Sequence, residues 1–295
     1  MQPVVSICIP AYKQPELLVK NLISVLAQTY VNYEVIITDD SRDNAVEQLV
    51  KKYTEKFSER LKYFKNEKTL GSPQNWNEAI GKAKGKYIKI LHHDDWFSSP
   101  DSLSAFVKML DDNPEAGFAF CATAIIEADS GTERKNSPSV AQLAELKSNP
   151  KILFFGNFIG PPSSVIYRNN CGIVFDKKVK YVVDVDFYIC MLQKNNSFVF
   201  NPDTLIVNTS KNPNQVTSQS LDAVTQLGEY AYLFNKINSS LIPSKKYVSF
   251  FKSLFLKYDV KSMDWFVQNN IEAPKPAIVF SKLISYLKLK NLYKS

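Results

Sequence analysis

From Val4 to about residue 126 the chain alternates two hydrophobic rhythms. Short β-branched runs, VVSICIP (4–10), YEVIIT (33–38), LKYFKN (61–66) and KYIKIL (86–91), read as strands. Between them PELLVKNLISVLAQ, residues 44–57 and PQNWNEAIGKAKG carry apolar residues at helical spacing, and a helix over 101–111 precedes the apolar strand AGFAFCATAII. Strand–helix alternation with short loops predicts an α/β fold, Rossmann-like, with a mostly parallel sheet flanked by helices. In such sheets ligands collect at the carboxyl ends of the strands. Three polar loops fall at that edge: PAYKQ after the first strand, DDSRDN after the second and HHDDW after the fourth.

The rhythm then changes. Residues 127–150 read as a polar excursion. The segment YVVDVDFYICMLQK leads into a helix over about 186–193, and an extended approach to it would place Asp184 and Asp186 on one face. From about 221 the chain reads as helical hairpins ending in PAIVFSKLISYLKLKNLYKS. Three parts are expected: a ligand-binding half (1–125), a second half of the same core (126–220) and a helical, basic extension (221–295).

Charge sharpens the last boundary. The net formal charge is +7, and residues 241–295 hold ten lysines against Asp259, Asp264 and Glu272, so the remainder is neutral. A basic extension on a neutral body argues against a nucleic-acid-binding core, and no such motif is present. Ile278, Phe280, Leu283, Ile284 and Leu287, interleaved with Lys275, Lys282, Lys288, Lys290 and Lys294, fit a basic amphipathic helix. Such a helix suits an anionic membrane surface as well as it suits packing on the body. Cys8, Cys121, Cys171 and Cys190 lack metal-site spacing. With no leader-like start or membrane-length apolar run, a cytoplasmic protein is expected, peripheral on the inner face of the membrane if the tail binds lipid.

Asp94 and Asp95 at a strand end suit a hard ion, Mg2+ or Mn2+, facing a diphosphate, and a turn cap is the plainer alternative. Asp39 and Asp40 could accept bonds from a base or a ribose. No Gly-x-Gly-x-x-Gly follows the first strand, which disfavours a dinucleotide site. Asp184 and Asp186 are candidates for a general base, with helix capping the alternative role for one of them. His92 and His93, adjacent on a strand, would face opposite ways and so do not make a four-ligand zinc cluster with the aspartates.

The run from VVSICIPAYKQ to VIITDDSRD, then GSPQNWNEAIGKAKGKYIKILHHDDWFSSPDSL, IGPPSSVIYRN and VVDVDFYICMLQK, resembles the family two glycosyltransferases of bacterial surface-polysaccharide synthesis, over about residues 4–217. The resemblance implies the GT-A fold and inverting, single-displacement transfer from a nucleotide diphosphate sugar, UDP-linked by expectation. The acceptor would be a hydroxyl of a glycan or lipid-linked oligosaccharide. It implies that Pro10, Ala11 and Tyr12 cradle the nucleoside, with Asp40 at the base, Asp39 beside it and Asn75 on the donor side. Asp94 would lie near ribose and metal, Asp95 would be the main ligand to Mn2+ or Mg2+, and Asp184 would be the catalytic base. Trp96, Gly160, Pro162, Ser163 and Asp186 are its expected sugar or acceptor contacts. This chain departs from the family with His92 at the first acidic position, Val183 before the base, no glycine after the aspartate pair of DDSRD and Asn212 in place of a histidine. These departures leave a sugar-nucleotide or glycan-binding protein on the same fold as the alternative.

Overall fold

The computed structural model describes residues 2–210, 222–237, 244–275 and 281–286. The core is built from β1 (Val5–Ala11), α1 (Pro15–Leu26), β2 (Tyr33–Asp39), α2 (Ala45–Lys51), α3 (Thr54–Phe57), β3 (Leu61–Lys65), α4 (Gln74–Gly81) and β4 (Tyr87–Ile90). It continues through β5 (Trp96–Phe97), α5 (Ser102–Asp111), β6 (Phe118–Glu127), β7 (Glu133–Asn136), α6 (Val140–Ser148), β8 (Val165–Arg168), α7 (Val183–Lys194) and β9 (Phe198–Ser210). After it come α8 (Ala223–Ile237), α9 (Ser244–Lys257) and α10 (Asp264–Gln268).

One nine-stranded sheet runs in the order β3-β2-β1-β4-β8-β6-β9-β5, with β7 beside β6. The β1–β2, β1–β4, β2–β3 and β6–β9 pairs are parallel, while β8, β5 and β7 join antiparallel. Alternation along each strand feeds two cores. Ile7 and Ile9 pack with α1, α2 and α5 on one face, while Cys8, Ile36, Ile88 and Ile90 pack with α7 and the C-terminal helices on the other.

Two expectations need correction. The stretch 127–150 is not only a polar excursion: it forms β7 and α6, the latter opened by a Ser139–Gln142 capping box. And α7 begins at Val183, so no extended segment carries Asp184 and Asp186. Two residues apart on a helix they diverge by roughly 200°, and neither caps it, the N-cap being Val182.

The C-terminal helices share the second core. Phe154 meets Tyr230 and Phe234 of α8 and Tyr247, Phe250 and Phe251 of α9, with ring centroids 4.9–6.2 Å apart. In the expected amphipathic segment Leu283 is fully buried against this core, and Lys252 lies over the Tyr286 ring. The positions Ile278, Phe280, Leu287, Lys288, Lys290 and Lys294, like Asn212, lie outside the described residues. No helix among the described residues is long and apolar enough to cross a membrane.

Candidate active site

The parallel register brings the three polar loops together. Pro10 and Ala11 pair with Thr38 and Asp39 at the carboxyl edge, and the Leu91 N–H ends the β4 ladder on Cys8. Asn75, nearly buried at the start of α4, donates to the carbonyls of Ala11 (3.3 Å) and Thr38 (3.1 Å) and accepts from Asn66 (2.9 Å). It therefore fastens the ends of β1 and β2. Asp39 accepts from the Tyr63 hydroxyl (2.7 Å), Lys65 (2.9 Å) and the Ser41 N–H (2.8 Å). Asp40 accepts from the Leu70 and Gly71 N–H groups (2.8 and 2.7 Å) and from Asn66 (2.9 Å), and so holds the 66–71 loop. Tyr12 is exposed beside them, followed by Lys13 and Gln14 in left-handed backbone that non-glycine residues rarely adopt.

The HHDD segment is a turn rather than a strand, which alters the histidine geometry. The Asp95 N–H closes on the His92 carbonyl (3.0 Å), and buried Asn21 of α1 donates to the carbonyls of both His92 (2.8 Å) and Asp95 (2.9 Å). The turn curls His92 towards the aspartates. Ligand-capable atoms of His92, Asp94 and Asp95 lie within 4.8 Å of one another, and His93 stays outside this group. Confinement suits such a donor set to a divalent ion.

Ser163 supports the turn from the 3-10 segment Pro162–Ser164. Its hydroxyl accepts the His92 N–H (2.9 Å) and hydrogen-bonds Asp95, and its carbonyl accepts from Lys89. Lys89 is fully buried beneath the turn, over Phe106 at 4.4 Å, and burial lowers its pKa to about 7. Burial, then the neighbouring Asp94, raises Asp95 well above the usual carboxylate range. Burial lowers His92 to about 4, which leaves a neutral imidazole.

Asp184 stands on the first turn of α7 with its Oδ1 enclosed and without a hydrogen-bond partner. Burial alone raises its pKa to about 7. One turn further along, Tyr188 donates to the Gly160 carbonyl (3.1 Å). Its phenol is raised well above its ordinary range by burial, then by Asp184, with smaller contributions from Tyr167 and Asp95. Tyr188 thus lies within electrostatic reach of both Asp184 and the acidic turn. Gly160 adopts φ +105°, and an added Cβ would stand 3.3 Å from Asn136. Pro162 is buried.

Two expected contacts face elsewhere. The Asp186 carboxylate is ion-paired with Lys236 of α8 (2.8 Å), and Trp96 lies under the Lys20 ammonium of α1 (3.5 Å to the ring centroid). The same face of α8 grips the approach to Asp184. The Glu229 carboxylate accepts the N–H groups of Lys180 (2.9 Å), Tyr181 (2.7 Å) and Val182 (3.1 Å), and Tyr232 and Lys236 bind Asp176 (2.7 and 2.9 Å). Glu229→Ala would strand these donors. It should cost roughly 1–3 kcal/mol of stability, measured by chemical denaturation; an unchanged midpoint would show that the grip is dispensable.

Asn21, Ser163 as a support, Tyr188 and Glu229 were not marked by spacing. Asn21 left one trace, a polar residue inside the Leu18–Leu22–Val25 stripe of α1. An open recess of about 430 Å³, lined by Gln2, Lys84, Lys86 and Arg168, lies at the opposite edge of the sheet. There the Arg168 guanidinium is engaged by the carbonyls of Leu110, Asn113 and Ala116.

A mostly parallel sheet with an acidic turn at its carboxyl edge and helices on both faces is the architecture of a GT-A protein. The chain belongs to glycosyl transferase family 2, whose family model matches residues 6–179. Asp184 falls just beyond that match.

Among curated relatives, an uncharacterized glycosyltransferase of Methanocaldococcus jannaschii is 26% identical over 67% of this chain and 67% of its own length. WcaA of Escherichia coli, named for glycosyl transfer in colanic acid biosynthesis, is 26% identical over 89% of this chain and 91% of its own. One uncharacterized protein of Mycobacterium tuberculosis is 27% identical over 61% of this chain and 50% of its own length. Among solved structures, S. aureus TarS residues 1–349 with UDP-GlcNAc superposes with a TM-score of 0.65 at 19% identity, over 88% of this chain and 74% of that one. The mannosyltransferase PcManGT of Pyrobaculum calidifontis, with GDP-Man and Mn2+, gives 0.59 at 15% identity, over 100% and 88%. Family membership and these relatives support a glycosyltransferase role, and the structural neighbours share the GT-A fold.

Proposed function

We propose that the chain is an inverting, metal-dependent glycosyltransferase acting by single displacement. Its donor is a nucleotide diphosphate sugar, UDP-linked, and its acceptor is a hydroxyl of a glycan or lipid-linked oligosaccharide in cell-envelope polysaccharide synthesis. The observation that carries the reading is Asp184: a carboxylate with an enclosed, unpartnered oxygen and a pKa near neutrality, reached from the acidic turn across Tyr188. A base poised near the operating pH can take the proton of an attacking hydroxyl.

Pro10, Ala11 and Tyr12 would line the nucleoside site, with Asn75 holding its floor and Asp39 and Asp40 fixing the loops around the base. Asp94 and Asp95 would hold Mn2+ or Mg2+, with Asp94 also near the ribose. When bound, the ion supplies neutralising charge to the departing nucleoside diphosphate. Gly160, Pro162 and Ser163 would frame the space left for sugar and acceptor. The titratable groups divide the work: acidic turn at the leaving group, Asp184 at the nucleophile.

A panel of UDP- and GDP-sugars with Mn2+ or Mg2+, read by thermal shift and by nucleoside diphosphate release, tests the reading. Stabilisation without release under any acceptor would favour the sugar-nucleotide-binding alternative. The basic C-terminus would hold the enzyme at an anionic membrane surface, on the cytoplasmic side, near a lipid-linked acceptor. In sedimentation with anionic liposomes, loss of residues 275–295 should reduce binding; equal binding by both forms would sink the membrane role.

A further inference from the structure

We infer that His92 is a ligand to the divalent ion, making with Asp94 and Asp95 a mixed nitrogen–oxygen set that prefers Mn2+ and later transition ions to Mg2+. The inference rests on reading the acidic turn as a metal site and concerns what this chain does differently there. An octahedral ion with bonds of about 2.0–2.1 Å separates neighbouring ligands by about 3.0 Å and opposite ligands by about 4.2 Å. His92 Nδ1 lies 3.9 Å from Asp95 Oδ2, and the whole group lies within 4.8 Å. Closure by a few tenths of an ångström would give bonding distances.

The ring is held for this role rather than left to turn. Trp76, from the NWN segment of α4, packs on the imidazole with centroids 4.6 Å apart, and Phe175 braces Trp76 edge-on at 5.1 Å. Ser163 fixes the His92 N–H and Asn21 its carbonyl. Despite this support, His92 Nε2 is enclosed with no hydrogen-bond partner. The nitrogen that faces the carboxylates is the other one, Nδ1, which at 3.9 Å from Asp95 Oδ2 is beyond hydrogen-bond reach, so the pinned ring turns a lone pair towards the two acids without bonding them directly. His93 Nε2 is also unpartnered but lies outside the donor group.

A carboxylate in this position would give an all-oxygen set suited to Mg2+; an imidazole moves preference along the transition series. The chain thus replaces a harder donor with a softer one and supplies an aromatic brace for it.

The test uses the full chain with UDP and Mn2+, read by pulsed electron paramagnetic resonance and by Mg2+ competition. Nitrogen hyperfine coupling on bound Mn2+ is expected in the wild type and lost in His92→Gln. In His92→Asp the preference for Mn2+ over Mg2+ should fall by about 10–100-fold, the size of effect that changes around metal sites commonly produce. Melting curves in EDTA verify that both variants fold, and His92→Gln, which adds no charge, serves if the aspartate does not. Mn2+ bound without nitrogen coupling, and with unchanged selectivity in both variants, would overturn the inference while leaving a carboxylate metal site intact. Failure of the wild type to bind Mn2+ with UDP would remove the metal reading as well.

Discussion

Asp184→Asn should lower transfer by about 10²–10⁴-fold, the range a positioned general base contributes, while donor binding stays close to wild type. The amide keeps the shape of the side chain and removes only its ability to accept a proton. Because burial raises the wild-type group to about 7, kcat/KM should climb as pH rises through that value and level off above it. The same substitution should stabilise the fold at high pH. The native carboxyl retains its proton to a higher pH than the unfolded chain does, so its contribution to stability is fully present below the unfolded pKa and is lost as pH rises through about 7. A rise from the ordinary carboxyl value of 3.8 to about 7 corresponds to at most about 4 kcal/mol. Asparagine has no charge to bury. Its melting temperature should therefore exceed the wild type's at pH 8 and approach it at pH 4. Wild-type turnover in Asp184→Asn would overturn the base assignment; equal melting temperatures at pH 8 would show that the carboxylate is better solvated than its surroundings imply.

Strand–helix alternation and the carboxyl-edge loops were legible because period-2 and period-3.6 patterns report directly on which face is buried. Asp94, Asp95 and Asp184 stood out for the same reason, as acids at the ends of apolar runs. Other features depended on contacts far along the chain. The α7 start cannot be seen from DVD alone, since Glu229 of α8 takes the N–H groups ahead of it. Strand spacing sends His92 and His93 to opposite faces, but the chain leaves the strand at Ile90 and Asn21 clamps a turn that brings His92 to both aspartates. Lysine count made residues 241–295 look like an appendage. Their buried side is aromatic, and Phe154 joins it to the body through rings drawn from both segments. Charge reports the solvated face of a helix and says little about what the other face covers.

Asp95→Asn should abolish the metal contribution to donor binding while leaving the apo fold at least as stable. The substitution preserves side-chain shape and an oxygen that can accept from Ser163, so it isolates the charge. In the wild type two carboxylates and a neutral imidazole crowd one turn, and Asp94 disfavours a second charge at Asp95. A divalent ion relieves that crowding, and an amide next to Asp94 removes it without an ion. Mn2+ at a hundred times its dissociation constant stabilises a protein that binds it only when folded by about 2.7 kcal/mol. That increment should appear in wild-type melting curves with Mn2+ and UDP and vanish in Asp95→Asn. The affinity loss should be at least the roughly 10–100-fold seen when outer-shell partners of a metal are removed, because here a direct ligand is lost. A variant that keeps the wild-type Mn2+ increment would move the ion away from Asp95 and leave the turn's buried acid without a metal role. If only Asp95→Asn and His92→Gln lose it, while Asp94→Asn keeps it, the ligands are the two residues that Asn21 clamps and Ser163 contacts, and Asp94, with Thr209 at 3.5 Å, serves the ribose instead.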